Sequence, residues 1–211
     1  MLENEMQNLF TQVELVTRRV EKKELGGKVA CATILEFVYD TEIADLWGAL
    51  TNKKRLPRWF APVEGDFKLG GRFQIKGNAE GEITHCENEK RFELTWEFGG
   101  DVSWVKVELA SDNDKARLYL EHLAYSESKH FETYGPGATG VGWDLALVGF
   151  GYYVQTAQSI EETDFMTSPE AKKIISYCAK DWGEATIKAG FDQQKSVLAA
   201  TNTEKFYLGE E

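Results

Sequence analysis

Arg91-Phe-Glu-Leu-Thr-Trp-Glu-Phe98 decides the fold class. Phe92, Leu94, Trp96 and Phe98 alternate with Arg91, Glu93, Thr95 and Glu97. Successive side chains of a strand point to opposite faces, so this segment is a strand with one dry and one wet face. The same period continues on both sides. Downstream, Gly99-Gly100-Asp101 turns the chain, Val105, Val107 and Leu109 repeat the pattern, and Ser111 to Asp114 turns it again. Ala116, Leu118, Leu120 and His122 then share the next inward face. Upstream, Glu87 to Lys90 forms a polar hairpin link to a strand from about Glu80 to Cys86. Ile83 and His85 are expected on its inner face and Cys86 on the outer one. Gly77-Asn78 and Gly70-Gly71 bracket a further strand, Arg72 to Lys76. Short alternating strands joined by tight turns make an antiparallel meander.

Outside the meander the pattern changes. Lys28 to Phe37 reads as a strand with Val29, Cys31, Thr33 and Leu35 on one face. Asp40 or Thr41 suits a helix cap before Ile43, Leu46, Trp47 and Leu50 at helical spacing, and Pro57 interrupts. Residues 1–24 admit two readings, an edge strand or a short helix. Ser126 to Gly140 is expected to be a loop of about fifteen residues. Trp143, Leu147, Phe150 and Val154 then recur at i, i+4, i+7 and i+11, and Leu145, Val148 and Tyr152 flank them. This predicts a helix near 142–160, apolar around most of its girth and therefore buried. Asp144 is placed in its first turn, where a carboxylate complements the helix dipole. Gly149 and Gly151 each cost about 1 kcal/mol in a helix, which close approach to the sheet or a bound molecule would offset. A last helical stretch starts at Ser168-Pro169-Glu170 and runs to about Ala200, with a break near Gly183 or Gly190.

A sheet with one dry face needs a cover, and the helix near 142–160 is long and apolar enough to supply it. The reading is therefore α+β: a curved antiparallel β-sheet of about six to seven strands wrapped around a long C-terminal helix, with extra C-terminal helices. Residues 1–27 form an N-terminal extension, 28–164 the domain, and 165–211 a helical extension packed on it.

Composition narrows the function classes. The 211 residues carry 24 Lys and Arg against 35 Asp and Glu, a formal net charge of −11. Such a surface repels phosphate backbones and anionic headgroups, so neither nucleic acid nor membrane is an expected partner. No apolar run approaches the roughly 18 residues of a membrane helix. The acidic start, Met1 to Met6, does not read as a signal peptide. Cys31, Cys86 and Cys178 are widely spaced and odd in number, which fits a reducing cytoplasm better than a disulfide framework.

Several motifs together resemble a known family: Asp45-Leu-Trp-Gly-Ala-Leu-Thr51, Arg58-Trp-Phe60, Gly70-Gly-Arg-Phe73, Gly81-Glu-Ile83, Arg91-Phe-Glu-Leu-Thr-Trp96, Leu118-Tyr-Leu-Glu-His122 and Gly142-Trp143. Over about residues 28–160 the chain resembles the helix-grip superfamily of START domains, polyketide cyclases and the birch pollen allergen (SRPBCC). Within it, the chain resembles the branch named for the C-terminal domain of the heat-shock chaperone ATPase activator (AHSA-type). The resemblance implies the helix-grip fold and a hydrophobic cavity between sheet and helix. It does not imply one reaction, because the superfamily includes binders, carriers and enzymes.

The expected function is binding of a small hydrophobic or aromatic molecule in that cavity, with no cofactor and no metal. Trp47, Trp59, Phe60, Phe73, Trp96, Phe98, Leu120, His122, Trp143, Leu147, Phe150 and Tyr153 are the candidate wall. His122 is the candidate polar anchor or acid–base group, since its ordinary pKa near 6.5 suits proton transfer. Tyr134, Gly135, Pro136 and Gly137 are the candidate gate. Two alternatives stay open. One is a cyclase- or hydrolase-like enzyme pairing His122 with Tyr153 or Tyr134. The other is a chaperone cofactor or other interaction module, including a homodimer through an apolar stripe along 170–200. The carboxylates Glu80, Glu82, Glu93, Glu97, Glu108 and Glu121 are expected on the wet face, beside Arg91, Lys106 and Arg117.

Overall fold

The computed structural model describes residues 3–210; Met1 and Leu2 of the acidic start, and Glu211, lie outside the described residues. The elements in order are α1 (Glu3–Glu14), β1 (Thr17–Leu25), β2 (Lys28–Tyr39), α2 (Ile43–Thr51), β3 (Val63–Gly65), β4 (Arg72–Ile75), β5 (Glu80–Glu87), β6 (Arg91–Phe98), β7 (Asp101–Asp112), β8 (Lys115–Tyr125), α3 (Lys129–Tyr134), α4 (Gly137–Thr156), α5 (Glu162–Met166), α6 (Pro169–Lys188) and α7 (Gln193–Leu208). The fold is α+β of the helix-grip class. Among the described residues the antiparallel sheet has eight strands in the order β1-β2-β8-β7-β6-β5-β4-β3. The expectation of six to seven strands missed the three-residue β3. It also left β1 undecided, because residues 1–24 contain both of the readings offered, a helix and then an edge strand. Among the described residues no helix is long and apolar enough to cross a membrane.

The chain divides into two compact units. The meander unit holds Glu36–Ala124 and Gly149–Ser159. Strands β6 and β7 pair from Arg91↔Glu108 to Phe98↔Asp101, and β7 and β8 from Trp104↔Leu123 to Asp112↔Lys115. This register puts Phe92, Leu94 and Trp96 beside Val107, Val105 and Ser103, and Val105 beside His122, so the dry faces line up as the alternation predicted. The wet face carries Lys106 between Glu108 and Glu121, at 3.6 and 3.7 Å, and Arg91 beside Glu93 and Glu108. Glu121 departs from the expected solvated surface. It is buried, and accepts a 2.6 Å hydrogen bond from the Tyr119 hydroxyl, whose ring lies under the Lys106 ammonium.

The second unit holds Met1–Leu35, Tyr125–Val148 and Ile160–Glu211. Its core is helical: α6 packs on β1, α1 and α7, and α7 also packs on α3. Helix α6 starts as the sequence indicated, with Ser168 Oγ accepting from Ala171 N and Pro169 in the first turn. The break falls at Gly190, where φ is +82°, and Gly183 stays inside α6.

Asp144 lies deeper in its helix than the first turn expected from the spacing. Helix α4 begins at Gly137, so Asp144 sits in its third turn, fully buried. Its carboxylate accepts from Arg18 Nε at 3.1 Å and from Trp182 Nε1 at 2.8 Å. Arg18 also donates to Val16 O, Val13 O and Asp181, and touches the Cys178 thiol at 3.6 Å. Burial pushes the Asp144 carboxyl up, but the permanently cationic Arg18 and the N–H donors aimed at its oxygens hold it ionised. A glycine makes this packing fit. A Cβ at Gly140 would lie 2.2 Å from the Trp182 ring, so the indole can lie against α4 only if position 140 has no side chain.

Candidate functional site

The inner face of the meander unit holds one buried polar cluster among aromatics. His122 of β8 is 7% exposed, and its Nε2 lies 2.8 Å from Ser103 Oγ on β7. The Ser103 hydroxyl donates to the Trp96 carbonyl across the β6–β7 ladder at 3.2 Å. A hydroxyl has one proton and a carbonyl can only accept. The contact with His122 therefore takes its proton from the imidazole, and His122 is assigned as the Nε2–H tautomer. Burial drives the His122 pKa down to about 4, so the ring is neutral at physiological pH. The Trp96 ring sits 6.0 Å from the His122 ring and 6.4 Å from Phe73.

Exposure along β6 varies in one direction. Phe92 is buried against Trp47 and Phe67, which meet it edge to face at 5.9 and 5.2 Å. Leu94 and Trp96, on the same face, are half-buried, as is Phe73 of β4. Phe98, expected among the inner wall, is 57% exposed. The dry face is thus closed at the α2 end and open at the β6–β7 turn. At that open end, the tips of the β4–β5 and β6–β7 hairpins bound a recess of about 370 Å³. Ile75, Ala79, Phe98 and Val102 supply its apolar lining, and Glu80, Glu97 and Asp101 its charge. Leu120 lies deeper and is buried.

A second aromatic group surrounds Phe150 on the C-terminal half of α4. Its ring lies 4.9 Å from Tyr39 and 4.5 Å from Trp59, and Trp59 stacks at 5.4 Å on Phe60. Trp59 Nε1 donates to Ala49 O. Gly149 permits this approach, since a Cβ there would meet the Trp59 carbonyl at 2.9 Å. Close contact is thus the compensation for a glycine in mid-helix. Tyr153 is committed locally: its hydroxyl accepts from Arg55 Nε at 2.9 Å, and Arg55 also pairs with Asp45. Arg55 is thus held in place and half-buried, unlike exposed Lys53 and Lys54. Sequence reasoning missed Tyr39. Its hydroxyl is fully buried, has no hydrogen-bond partner among the described residues, and is pushed far above the usual phenol range by burial.

The other candidate residues lie away from this face. Half-buried Trp143 and buried Leu147 belong to the other unit. So do Tyr134, Gly135, Pro136 and Gly137, and the expected loop is helical there. Helix α3 ends at Tyr134, α4 begins at Gly137, and α7 clamps the joint. Asn202 Nδ2 donates to Thr133 O, Thr203 Oγ1 to Tyr134 O, and Tyr207 Oη to Ala138 O. His85 is displaced by a β-bulge in β5. The register steps from Ile83↔Leu94 to His85↔Glu93 and Cys86↔Phe92, so His85 faces solvent and Cys86 turns inward. Among the described residues no group of three His, Cys, Asp or Glu is placed to hold a metal. Burial pushes the Cys31 thiol up to about 12, and Cys178 higher still, which leaves both unreactive.

The sheet and long helix are those of an SRPBCC-type, AHSA-like protein. The chain belongs to the family described as Activator of Hsp90 ATPase homolog 1-like proteins, whose model matches residues 40–155, more than half of its length. No curated protein matches the chain significantly. Among solved structures, CalU16 from Micromonospora echinospora is 28% identical with a TM-score of 0.67, and the match covers 82% of this chain and 98% of that one. That share exceeds the family stretch, so part of the extensions is common to both. A conserved protein of unknown function from Enterococcus faecalis shares the fold at 15% identity and TM-score 0.61, covering 85% of this chain and 98% of its own. An HSP90 activator from Plasmodium falciparum shares it at 24% identity and TM-score 0.52, covering 60% of this chain and 96% of its own.

Proposed function

We propose that the meander unit binds a small hydrophobic or aromatic molecule on its inner face, with Phe73, Leu94 and Trp96 as the contact surface and the His122–Ser103 pair as the polar anchor. The carrying observation is that these three apolar side chains stay partly exposed on an otherwise dry face, around a buried neutral imidazole. Large apolar groups left partly uncovered beside convergent polar atoms are what a ligand site requires. Titration with Nile red, a neutral polarity-sensitive dye, tests the reading. Saturable binding to the folded protein is expected, with at least a tenfold loss in Trp96→Ala; no saturable binding would overturn it. Native mass spectrometry of freshly purified protein would identify a retained molecule directly.

The enzymatic alternative is less well supported. Tyr153 accepts from Arg55, and the group beside His122 is Ser103, whose proton goes to the Trp96 carbonyl. A serine nucleophile needs the reverse direction, with the imidazole accepting, and an imidazole titrating near 4 is a weak base at neutral pH. The cofactor alternative rests on the family description, and stimulation of purified Hsp90 ATPase would test it.

A further inference from the structure

We propose that the aromatic group around Phe150 is a second binding position, which takes a neutral molecule bringing a carbonyl oxygen to the Tyr39 hydroxyl, such as an aryl ketone or a quinone. The position lies beside α2, where Trp59 Nε1 donates to Ala49 O. It stands apart from the binding role given to Phe73, Leu94 and Trp96. Three observations carry it. First, Tyr39 is 2% exposed, and its hydroxyl has no hydrogen-bond partner among the described residues. Its ring meets those of Phe37 at 4.6 Å and Phe150 at 4.9 Å, both edge to face. Second, polar ends close by are answered from within the protein. The Tyr153 hydroxyl accepts from Arg55 Nε, and the Tyr152 hydroxyl donates to Gln158 Oε1 at 3.2 Å. Third, the cover of the group is its least fixed part. Phe37, Tyr39 and Phe150 are buried, whereas Trp59 and Phe60 are half-buried and follow the short 3-10 turn Leu56–Arg58, outside any regular strand or helix.

A hydroxyl taken out of water without a partner loses its hydration and gains nothing in return. What it needs is an acceptor. A carbonyl oxygen only accepts, so it takes the Tyr39 proton and brings no donor that must itself be answered. A lone water would bring two protons of its own, and it needs roughly two to four polar partners. The rings of Phe37 and Phe150 in contact with Tyr39 offer it none. A carboxylate or an ammonium would lose its hydration against these same rings, which keeps the ligand class neutral. The apolar body of the ligand then lies among rings, where Trp59 and Phe60 give way to admit it.

The experiment titrates acetophenone (a ketone) and ethylbenzene (its hydrocarbon counterpart) into isotope-labelled protein and follows the Trp59 indole N–H resonance by NMR. Acetophenone should shift that resonance saturably. In Tyr39→Phe its affinity should fall about fivefold or more, while that of ethylbenzene stays the same. Tyr152→Phe removes a hydroxyl that is already engaged, and should leave the acetophenone affinity unchanged. Ligand-free Tyr39→Phe should unfold at the same urea concentration as the parent protein or a higher one, because the hydroxyl it removes has no partner to lose. The proposal is overturned if acetophenone gives no saturable shift, or if Tyr39→Phe weakens both probes alike. It is also overturned if Tyr152→Phe weakens acetophenone as much as Tyr39→Phe does. A lower unfolding midpoint for ligand-free Tyr39→Phe would overturn it too, by showing that a resident water already serves the hydroxyl.

Discussion

The two units solve the problem of burying polar groups in opposite ways. In the unit built around α6, a charge is buried and answered completely: Asp144 receives Arg18 and Trp182, and a glycine at 140 lets the indole close over it. In the meander unit the buried polar group is neutral, and the aromatic face around His122 grades from sealed at Phe92 to open at Phe98. The difference teaches where to look for function. A network with every donor and acceptor matched specifies a structure, whereas a dry face left half covered is available to something else.

The comparison can be broken most sharply at Asp144. Asp144→Ala leaves the Arg18 guanidinium buried without its partner and should cost about 3–5 kcal/mol, read from urea unfolding. A loss below about 1 kcal/mol would mean that water already reaches the pair. The next effect belongs to His122. Its unfolded pKa is near 6.5 and its folded one about 4, so between these values the unfolded chain holds more protons. Stability should therefore fall as pH drops from about 6.5 to about 4, by up to roughly 3 kcal/mol, and level off below. His122→Gln should flatten that slope, and an unchanged slope would assign it to other groups. Trp96→Ala, on the half-open face, should cost about 1–2 kcal/mol, less than the 3–5 expected for a sealed tryptophan such as Trp182. Equal losses at Trp96 and Trp182 would erase the contrast between the units. Smallest, Ser103→Ala should lower stability by about 1 kcal/mol by removing the acceptor for His122.

The contrast was only half legible in the sequence. The meander could be read because each strand carries its own period and each turn its own glycines, information local to a few residues. The Ser168 cap and the burial of α4 were readable for the same reason. The helices within 126–140 were not, because a run containing Gly135, Gly137, Gly140 and Gly142 opposes helix by propensity, and the compensation comes from α6 and α7 far along the chain. The partner of Asp144 lies 126 residues away, at Arg18, and no periodicity reports it. The bulge that turns His85 outward adds one residue to a strand without marking it. Within the site, His122 and Trp96 were found by alternation, while Ser103 and Tyr39 carry no signal in the sequence, because their significance comes from neighbours on other strands and on α4.

The seat of Trp182 on Gly140 also bears on any attempt to prune this protein to a minimal scaffold. Ending the chain after α4 would strip the indole from the Asp144 carboxylate and unroof Arg18 as well. A shortened version would have to be rewritten at both positions with aliphatic residues, and could then dispense with glycine at 140. Without those edits, the trimmed product should precipitate or stay unfolded, however well its meander is preserved.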